Sequence, residues 1–367
     1  FWGIPIPIWR TEDHDEEICI GSLGQLKSEI DKSIDAGVMV NNPLAEFEVD
    51  NFSEKNYTVF DMHKPYVDSI VLLSPKGKPM KREVDLIDVW FDSGAMPYAQ
   101  LHYPFENKAV FQNAYPADFI AEGVDQTRGW FFTLHAISTI LFDSVAYKNV
   151  ISNGLVLDKN GNKMSKRLGN AINPFRIIDK YGADATRWYM ISNAQPWDNL
   201  KFDENGIVEV QRKFFGTLYN TYSFFALYAN IDGFVYSEKS ISISNRAELD
   251  KWILSELNSL IKEVEENYEE YEPTHVSRLI QEFTIDKLSN WYVRLSRRRF
   301  WKGECNSEKI AAYQTLYECL ETISILSAPI APFFMDNLFK DLTSISKRSA
   351  ASSVHLASFP LVDNTSI

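Results

Sequence analysis

Beyond Asp203 the chain carries four long segments in which apolar residues recur at i, i+3, i+4 and i+7: "GIVEVQRKFFGTLYNTYSFFALYANI", "AELDKWILSELNSLIKEVEENYEEY", "PTHVSRLIQEFTIDKLSNWYVRLSRRRFW" and "SEKIAAYQTLYECLETISILSAPIAPFFMDNLFKDL". Side chains at these intervals share one face of an α-helix, and each segment is long enough for three or more turns. The spacing therefore predicts a helix bundle. Pro273 stands at the start of the third segment, where a missing backbone N–H is harmless, and Pro329 with Pro332 breaks the fourth. Upstream the period changes. "LIDVWFDSG" and "DFIAEG" read as buried strands ending in glycine, "TRGWFFTLHAISTILFD" as a buried helix apolar all round, and "NVISNGLVLD" as a third strand. Strands, glycine turns and a buried helix in alternation predict a parallel α/β sheet. Ligands on such a sheet sit beyond the carboxyl ends of the strands, here the turns after Asp92, Ala121 and Ser152.

The fold class expected is thus α/β followed by all-α. With 367 residues and 45% hydrophobic content the chain has enough apolar surface for two cores. The change of texture puts the domains at 1–203 and 204–367. Residues 11–84 are mixed, with a helix over Ser22–Ala36 and a hairpin turning between Pro75 and Pro79, and read as an insertion without chemistry of its own. Cys19, Cys305 and Cys319 lie far apart and form no CxxC pair, which favours a reducing compartment, the cytoplasm by default, over a disulfide scaffold or a cysteine zinc site. No run of about 18 apolar residues marks a membrane span, and no basic-then-apolar signal opens the chain. The opening "FWGIPIPIW" has no methionine and reads as the interior of a longer protein.

The formal charge of −13 disfavours nucleic acid only if charge is taken globally, because phosphates respond to local patches. From Asp286 to Gly303 there are six cations (Lys287, Arg294, Arg297, Arg298, Arg299, Lys302) and one anion. On an ideal helix Leu288, Trp291, Tyr292 and Leu295 share one face, which leaves Arg294, Arg297 and Arg298 toward the other. Arginine on an aromatic-supported helix suits phosphate and base contacts, whereas the alternative is a charged solvent face.

Two further stretches carry polar chemistry. "DKNGNKMSKRLGNAINP", Asp158 to Pro174, sets Lys163 and Lys166 between Gly161 and Gly169. Backbone amides of such a turn can meet phosphate oxygens while the lysines supply mobile charge, but the order GxxxxGK[ST] of a P-loop is absent. A solvated basic turn is the plain alternative. "AEGVDQTRGW" places Glu122, Gly123, Asp125 and Gln126 in a turn between a strand and an apolar helix, with Trp130 entering the helix. These groups could hold hydroxyls and an amino or carboxyl group beside an aliphatic pocket, or Asp125 could cap the helix with Trp130 in the core. Trp90 in "DVWFDSG" has the same two readings. The six histidines form no HxxxH or HExxH pair, His135 reads as a core residue, and no GxSxG elbow occurs.

Taken together, these residues resemble the C-terminal part of a class I aminoacyl-tRNA synthetase of the isoleucyl type. "KMSKR" with "LGNAINP" resembles the family's KMSKS loop, arginine standing in the last place. "FWGIPIPIW", "DVWFDSGAMPYAQLHYPF", "AEGVDQTRGWFFTL" and "NWYVRLSRRRFW" resemble isoleucyl-type blocks in order. The resemblance implies the second half of a Rossmann-like catalytic domain followed by a helical anticodon-binding domain. It also implies ligation of isoleucine to its tRNA through an isoleucyl-adenylate, with ATP and Mg2+ as the cofactors. The loop would close over ATP, Lys163 and Lys166 stabilising phosphate charge as the amino-acid carboxylate attacks the α-phosphate, with Met164 and Ser165 in the adenylate-binding set. Glu122, Gly123 and Asp125 would face the adenylate ribose, Gln126 its carboxyl-derived end, and Trp90 with Trp130 the aliphatic side chain. Asn153 and Gly154 stand where the family places adenine-contacting backbone, and Arg294, Arg297 and Arg298 would meet tRNA. The family's HIGH motif has no counterpart, since no HxGH occurs, so the chain is expected to lack the first half-site and proofreading and to be inactive alone. No zinc site is expected, and a monomer is. The rivals are a valyl- or leucyl-type synthetase, against which "SGAMPYAQ" and "EGVDQTRGW" speak, and a non-catalytic tRNA-binding module.

Overall fold

Ser22 decides where the first helix begins: its extended backbone and its hydroxyl, which accepts the Gln25 N–H at 3.1 Å, form the N-cap of α1 (Leu23–Asp35). The helix thus falls within the predicted span. It buries Leu26, Ile30 and Ser33 against an antiparallel sheet of four strands, β2 (Ile8–Thr11), β3 (Glu17–Cys19), β4 (Val71–Leu73) and β5 (Pro79–Arg82), in the order β3-β2-β5-β4. Before them β1 (Gly3–Pro5) pairs with β6 (Leu86–Asp88). Period-two alternation sends Trp9 and Thr11 of β2, and Met80 and Arg82 of β5, to the buried side. Trp9 is satisfied there by donating its indole N–H to the Ile70 carbonyl at 2.9 Å. The short helix α2 (Glu54–Tyr57) completes this inserted subdomain, whose core of Trp9, Leu26, Ile30, Leu44, Leu72 and Met80 is its own.

The structure, a computed structural model, describes residues 3–236 and 239–363, so Phe1 and Trp2 of the first block lie outside the described residues. The chain divides into two compact units, Phe1–Ile151 and Ser152–Ile367. In the first, the expected strand "LIDVWFDSG" is a strand for three residues only. Asp88 accepts the Trp90 N–H at 2.8 Å and caps α3 (Val89–Ala99), so the aromatic residues after it are helical. After α4 (Lys108–Ala114), β7 (Ala117–Gly123), α5 (Trp130–Phe142) and β8 (Tyr147–Asn153) form a β-α-β unit. Its strands begin level with one another, the Ala117 N–H donating to the Ala146 carbonyl at 3.0 Å. The helix α5 is apolar all round but is not buried all round. Phe131, Leu134 and Ser138 are covered while Phe132, His135, Ile140 and Leu141 are exposed, so the reading of His135 as a core residue does not hold.

The second unit opens with β9 (Val156–Leu157), which pairs in parallel with β10 (Leu200–Lys201), and with α6 (Pro174–Tyr181) and α7 (Ala183–Asn193) between them. Residues 152–203 are bolted to the helices that follow. Trp188 of α7 is fully buried, stacks on Phe214 at 4.2 Å and donates to the Gln281 side chain at 2.9 Å. The Asp184 carboxylate accepts the Phe334 N–H, and Arg187 donates to the Ile330 carbonyl at 2.8 Å. The predicted helical segments are all present. The first is α8 (Glu204–Val210) running through a π-helical turn, Gln211–Phe215, into α9 (Gly216–Asp232). The second is α10 (Glu248–Glu269). The third is α11 (Pro273–Glu282), a π-helical stretch Phe283–Val293 and α12 (Arg294–Trp301). The fourth splits at its prolines into α13 (Ser307–Ser327) and α14 (Pro332–Ser346). One continuous core, with Phe214, Tyr292, Phe300, Tyr313, Leu316 and Met335 at 0% exposure, runs through the bundle. No described helix is long and apolar enough to cross a membrane.

Candidate functional site

In the second unit the lysine loop grows out of the β9 edge. Asp158 begins a turn in which its carboxylate accepts the N–H groups of Asn160 and Asn162 at 2.9 and 2.8 Å, and the Leu157–Lys163 bridge closes it. Gly161, with φ of 86°, takes a left-handed position that disfavours a side chain. Asn170 then ties the far limb back: its amide donates to Asp158 at 3.0 Å and to the Lys163 carbonyl at 3.3 Å, and its oxygen accepts the Ser165 N–H at 2.9 Å. The donors converging on Asp158, Asn170 first and then the Asn162 N–H, hold its carboxyl below the usual range, so the knot stays ionised and closed. Ser165 is spent inside the loop, its hydroxyl accepting the Leu168 N–H at 3.2 Å. Met164 points the other way and packs, half-buried, against the helical core with Ile172. Its packing anchors the loop.

What the knot leaves outside is charge. Lys163, Lys166 and Arg167 are exposed, and among the described residues their side chains have no hydrogen bond or ion pair. Just upstream, the Gly154 N–H donates to the Pro196 carbonyl at 2.9 Å, and a Cβ at Gly154 would lie 2.2 Å from the Asp198 carbonyl oxygen, so only glycine lets the two backbones meet. Asn153 beside it is half-buried. Asn199, which sequence reasoning passed over, fixes the same junction by accepting the Leu155 N–H at 2.8 Å. Asn170 and Asp158 were also passed over as positioning residues; the Asx-turn composition of "DKNGN" was the available signal.

The first unit brings its own set together. The Gln126 amide donates to Asp125 at 3.0 Å while its oxygen accepts the Trp130 N–H at 2.9 Å, so Gln126 rather than Asp125 satisfies the start of α5. The Trp130 indole donates to the Ser93 carbonyl at 2.9 Å, and Trp90 reaches the same place, its ring edge 3.3 Å from where a Cβ on Gly129 would stand. Trp90, Gln126 and Trp130 therefore meet where α3 and α5 begin, with Trp90 left exposed. Glu122 and Asp125 are exposed on the turn, Gly123 half-buried between them. A carboxylate-bearing turn beside two indoles suits a polar head joined to an apolar tail.

The basic helix departs from its expected faces. Tyr292 and Leu288 are buried as anticipated, but Trp291 and Leu295 are each 57% exposed. The cause is the π-helical stretch Phe283–Val293, in which each turn takes in an extra residue, so burial steps from Phe283 and Thr284 to Leu288 and then to Tyr292 and Val293 before α12 continues with Ser296 and Phe300. Arg299 also turns inward: it forks onto Asp250 at 2.7 and 2.8 Å, and Asp250 accepts the Tyr292 hydroxyl at 2.7 Å. Burial together with the Asp250 charge pushes the Tyr292 phenol well up. Arg294, Arg297 and Arg298 remain exposed, and among the described residues their side chains have no acid partner. Across this unit and the first, no described group of three or more His, Cys, Asp or Glu side chains is arranged to hold a metal ion.

Two family descriptions match the chain: "tRNA synthetases class I (I, L, M and V)" over residues 1–203, and "Anticodon-binding domain of tRNA ligase" over residues 250–367. A curated relative from Cytophaga hutchinsonii, named isoleucine–tRNA ligase, is 66% identical over 363 residues, covering 99% of this chain and 31% of the relative. One of the same name from Bacteroides fragilis is 64% identical over 364 residues (98% of this chain, 32% of the relative), and one from Clostridium tetani 45% over 368 residues (100% and 33%). The chain thus spans about a third of the length of the curated relatives it matches. Among solved structures, the LeuRS agnB2 of Agrobacterium radiobacter K84, crystallised in a ternary complex with tRNA and LeuAMS, shares the fold with a TM-score of 0.67 at 17% identity, over 100% of this chain and 41% of that one.

Proposed function

The chain belongs to the class I tRNA synthetases of the isoleucine, leucine, methionine and valine group, and from that premise we propose that it carries the lysine-loop half of a site that joins isoleucine to its tRNA. The observation that carries the reading is the loop itself: two lysines and an arginine held outside a closed Asp158–Asn170 knot, free of any acid among the described residues. In the first step the isoleucine carboxylate oxygen attacks the α-phosphorus of ATP. A carboxyl–phosphate bond forms, the bond to pyrophosphate breaks, and isoleucyl-adenylate remains. ATP enters as its Mg2+ complex, with the metal carried on the phosphates as part of the substrate. Lys163 and Lys166 act where negative charge shifts onto the leaving pyrophosphate, and they act more strongly there than on bound ATP. In the second step a ribose hydroxyl at the tRNA end takes the isoleucyl group and AMP leaves. Glu122, Gly123 and Asp125 would hold the adenylate ribose, Gln126 its carboxyl-derived end, and Trp90 with Trp130 the branched side chain. Asn153 and Gly154 would meet the adenine edge, while Arg294, Arg297 and Arg298 would meet tRNA phosphates. The setting is the cytoplasm, and the working form a monomer.

Relatives at 64–66% identity named isoleucine–tRNA ligase favour isoleucine over valine or leucine. The exposed apolar side chains of β7, β8 and α5 favour a site completed by further polypeptide, so the 367-residue chain alone performs no isoleucine-dependent ATP–pyrophosphate exchange. The decisive variant is Lys166→Ala in a polypeptide extended to the relatives' length. The kcat of exchange falls by roughly 10²- to 10³-fold while isoleucine Kd changes little, as for loss of one charge acting in the transition state. Equal losses in kcat and in isoleucine binding would make Lys166 a structural residue and remove the reading.

A further inference from the structure

The inserted subdomain, which the sequence presents as a segment without chemistry, holds a cavity of about 410 Å³ within the first unit. It opens between the start of α1, the segment around α2 and the turn that follows α3, and Trp9, Leu26 and Phe47 form its buried floor. Aromatic rings crowd its rim. His102 is their hub, with ring centroids 5.3 Å from Phe52, 5.5 Å from Tyr57 and 5.3 Å from Phe105. Phe52, Tyr57 and Phe105 remain 37%, 39% and 53% exposed, an apolar lining that the described residues do not close over. The fixed charges beside these rings are negative. Asp50 lines the cavity, and among the described residues its carboxylate has no hydrogen bond or ion pair. Glu106 bonds to His102 Nδ1 at 2.8 Å. Burial first, then the charges of Glu106 and Asp50, pushes the Tyr57 phenol up, so both carboxylates are felt at that ring. No lysine or arginine lines the cavity.

We propose that this cavity binds a small organic ammonium ion: the rings of Phe52, Tyr57 and Phe105 surround the cationic head, Asp50 and Glu106 balance its charge, and the floor takes its apolar part. An aromatic face attracts an ammonium group lying within about 6 Å of the ring centroid, and a cluster of rings offers several such faces at once. The sign of the charges selects the occupant. A neutral apolar ligand would use the floor but leave Asp50 without a partner, and a carboxylate or phosphate would meet two like charges. No described group of three or more His, Cys, Asp or Glu side chains is arranged to hold a bare metal ion, so the cation that fits is an organic one. None of these residues belongs to the set that would meet ATP, isoleucine or tRNA.

The experiment is calorimetric titration with choline and with its neutral carbon isostere, the alcohol in which a tert-butyl group replaces trimethylammonium. It is run at about pH 8, above the range in which imidazoles ordinarily take a proton. The proteins are the 367-residue chain, its Asp50→Asn and Phe52→Ala variants, and a polypeptide of the relatives' length, each checked by circular dichroism. Asparagine suits the φ of 66° at Asp50, and Phe52 is partly exposed, so both variants stay folded. Choline binds the wild-type chain at least about tenfold more tightly than the alcohol. Its Kd rises roughly 2- to 5-fold in Asp50→Asn, where the Kd of the alcohol is unchanged. In Phe52→Ala it rises roughly 2- to 30-fold. Equal affinities for choline and the alcohol, or binding of neither, overturn the proposal. Choline binding that is indifferent to both variants places the ion elsewhere on the molecule and overturns it too. Binding by the 367-residue chain that is lost in the longer polypeptide shows a segment of polypeptide in the cavity, and overturns the proposal as well.

Discussion

Trp188 and Trp90 belong to similarly aromatic parts of the chain and meet opposite fates. Trp188 lies at 0% exposure with Phe214 stacked on it and its N–H bonded to Gln281; Trp90, in α3 of the first unit, is 44% exposed beside Gln126 and Trp130. The contrast runs through the two regions. From Ile177 to Val354 the helical unit closes a continuous core, and the inserted subdomain closes a small one around Trp9. The residues between them, from Leu86 to Ile151, close none of comparable size, and leave Phe119, Phe132, Ile140, Leu141 and Val150 exposed. A region that buries its apolar residues is complete as it stands. One that makes strands and helices with open apolar faces is expected to pack against a further layer, as parallel sheets are covered on both faces.

The largest expected effect tests the complete side. Trp188→Ala removes a fully buried indole, its stacking partner's contact and one side-chain hydrogen bond, and should destabilise the helical unit by roughly 3–5 kcal/mol. Urea unfolding followed by circular dichroism measures it. A loss below about 1 kcal/mol would mean that residues 152–203 are not bolted to the bundle.

The helices were legible in the sequence because their packing is periodic and needs no partner beyond the next turn. The same rule misplaced Trp291, since the period is that of an α-helix and a π-helical stretch obeys another. It misplaced "VWFDSG" too, because one carboxylate, Asp88, captures the Trp90 N–H and starts a helix where the composition alone suits a strand. The lysine loop was legible as a motif, but its closure was not. Asp158 and Asn170 are twelve residues apart and meet only because the limb between them doubles back. The exposure of α5 was invisible for a further reason: an apolar helix looks the same in sequence whether its covering layer lies inside the chain or elsewhere.

A smaller effect sharpens the account of the helical unit at its end. Asp336 of α14 pairs with Lys340 and accepts the Ser353 hydroxyl at 2.7 Å and the Val354 N–H at 3.0 Å, pinning the short turn Val354–Leu356 to α14. Lys340 first, then Ser353, lower its pKa from the ordinary 3.8 to about 2. A carboxyl depressed on folding adds stability that is whole above pH 3.8 and is lost as pH falls toward 2. Asp336→Asn should therefore cost roughly 1 kcal/mol at pH 7, with the gap to wild type closing between pH 4 and about pH 2. A gap that does not narrow over that window would remove the charge from the explanation.

The smallest effect tests the incomplete side, and its size is the point. Phe132 and Ile140 of α5 are 64% and 80% exposed, so replacing both by serine removes little buried surface and leaves a helix whose intrinsic propensities are similar. In the 367-residue chain Phe132→Ser/Ile140→Ser should change unfolding free energy by no more than about 0.5 kcal/mol per site, and should reduce self-association in sedimentation because an apolar face has been made polar. In a polypeptide of the relatives' length the same pair should cost several times more, since a covered phenylalanine or isoleucine contributes about 1.5–3 kcal/mol. The two measurements together separate the explanations. A large loss already in the 367-residue chain would mean that the face is closed by this chain's own residues. Equal small losses in both would mean that nothing covers it, and the β-α-β unit would then be an edge of the molecule rather than the middle of a sheet.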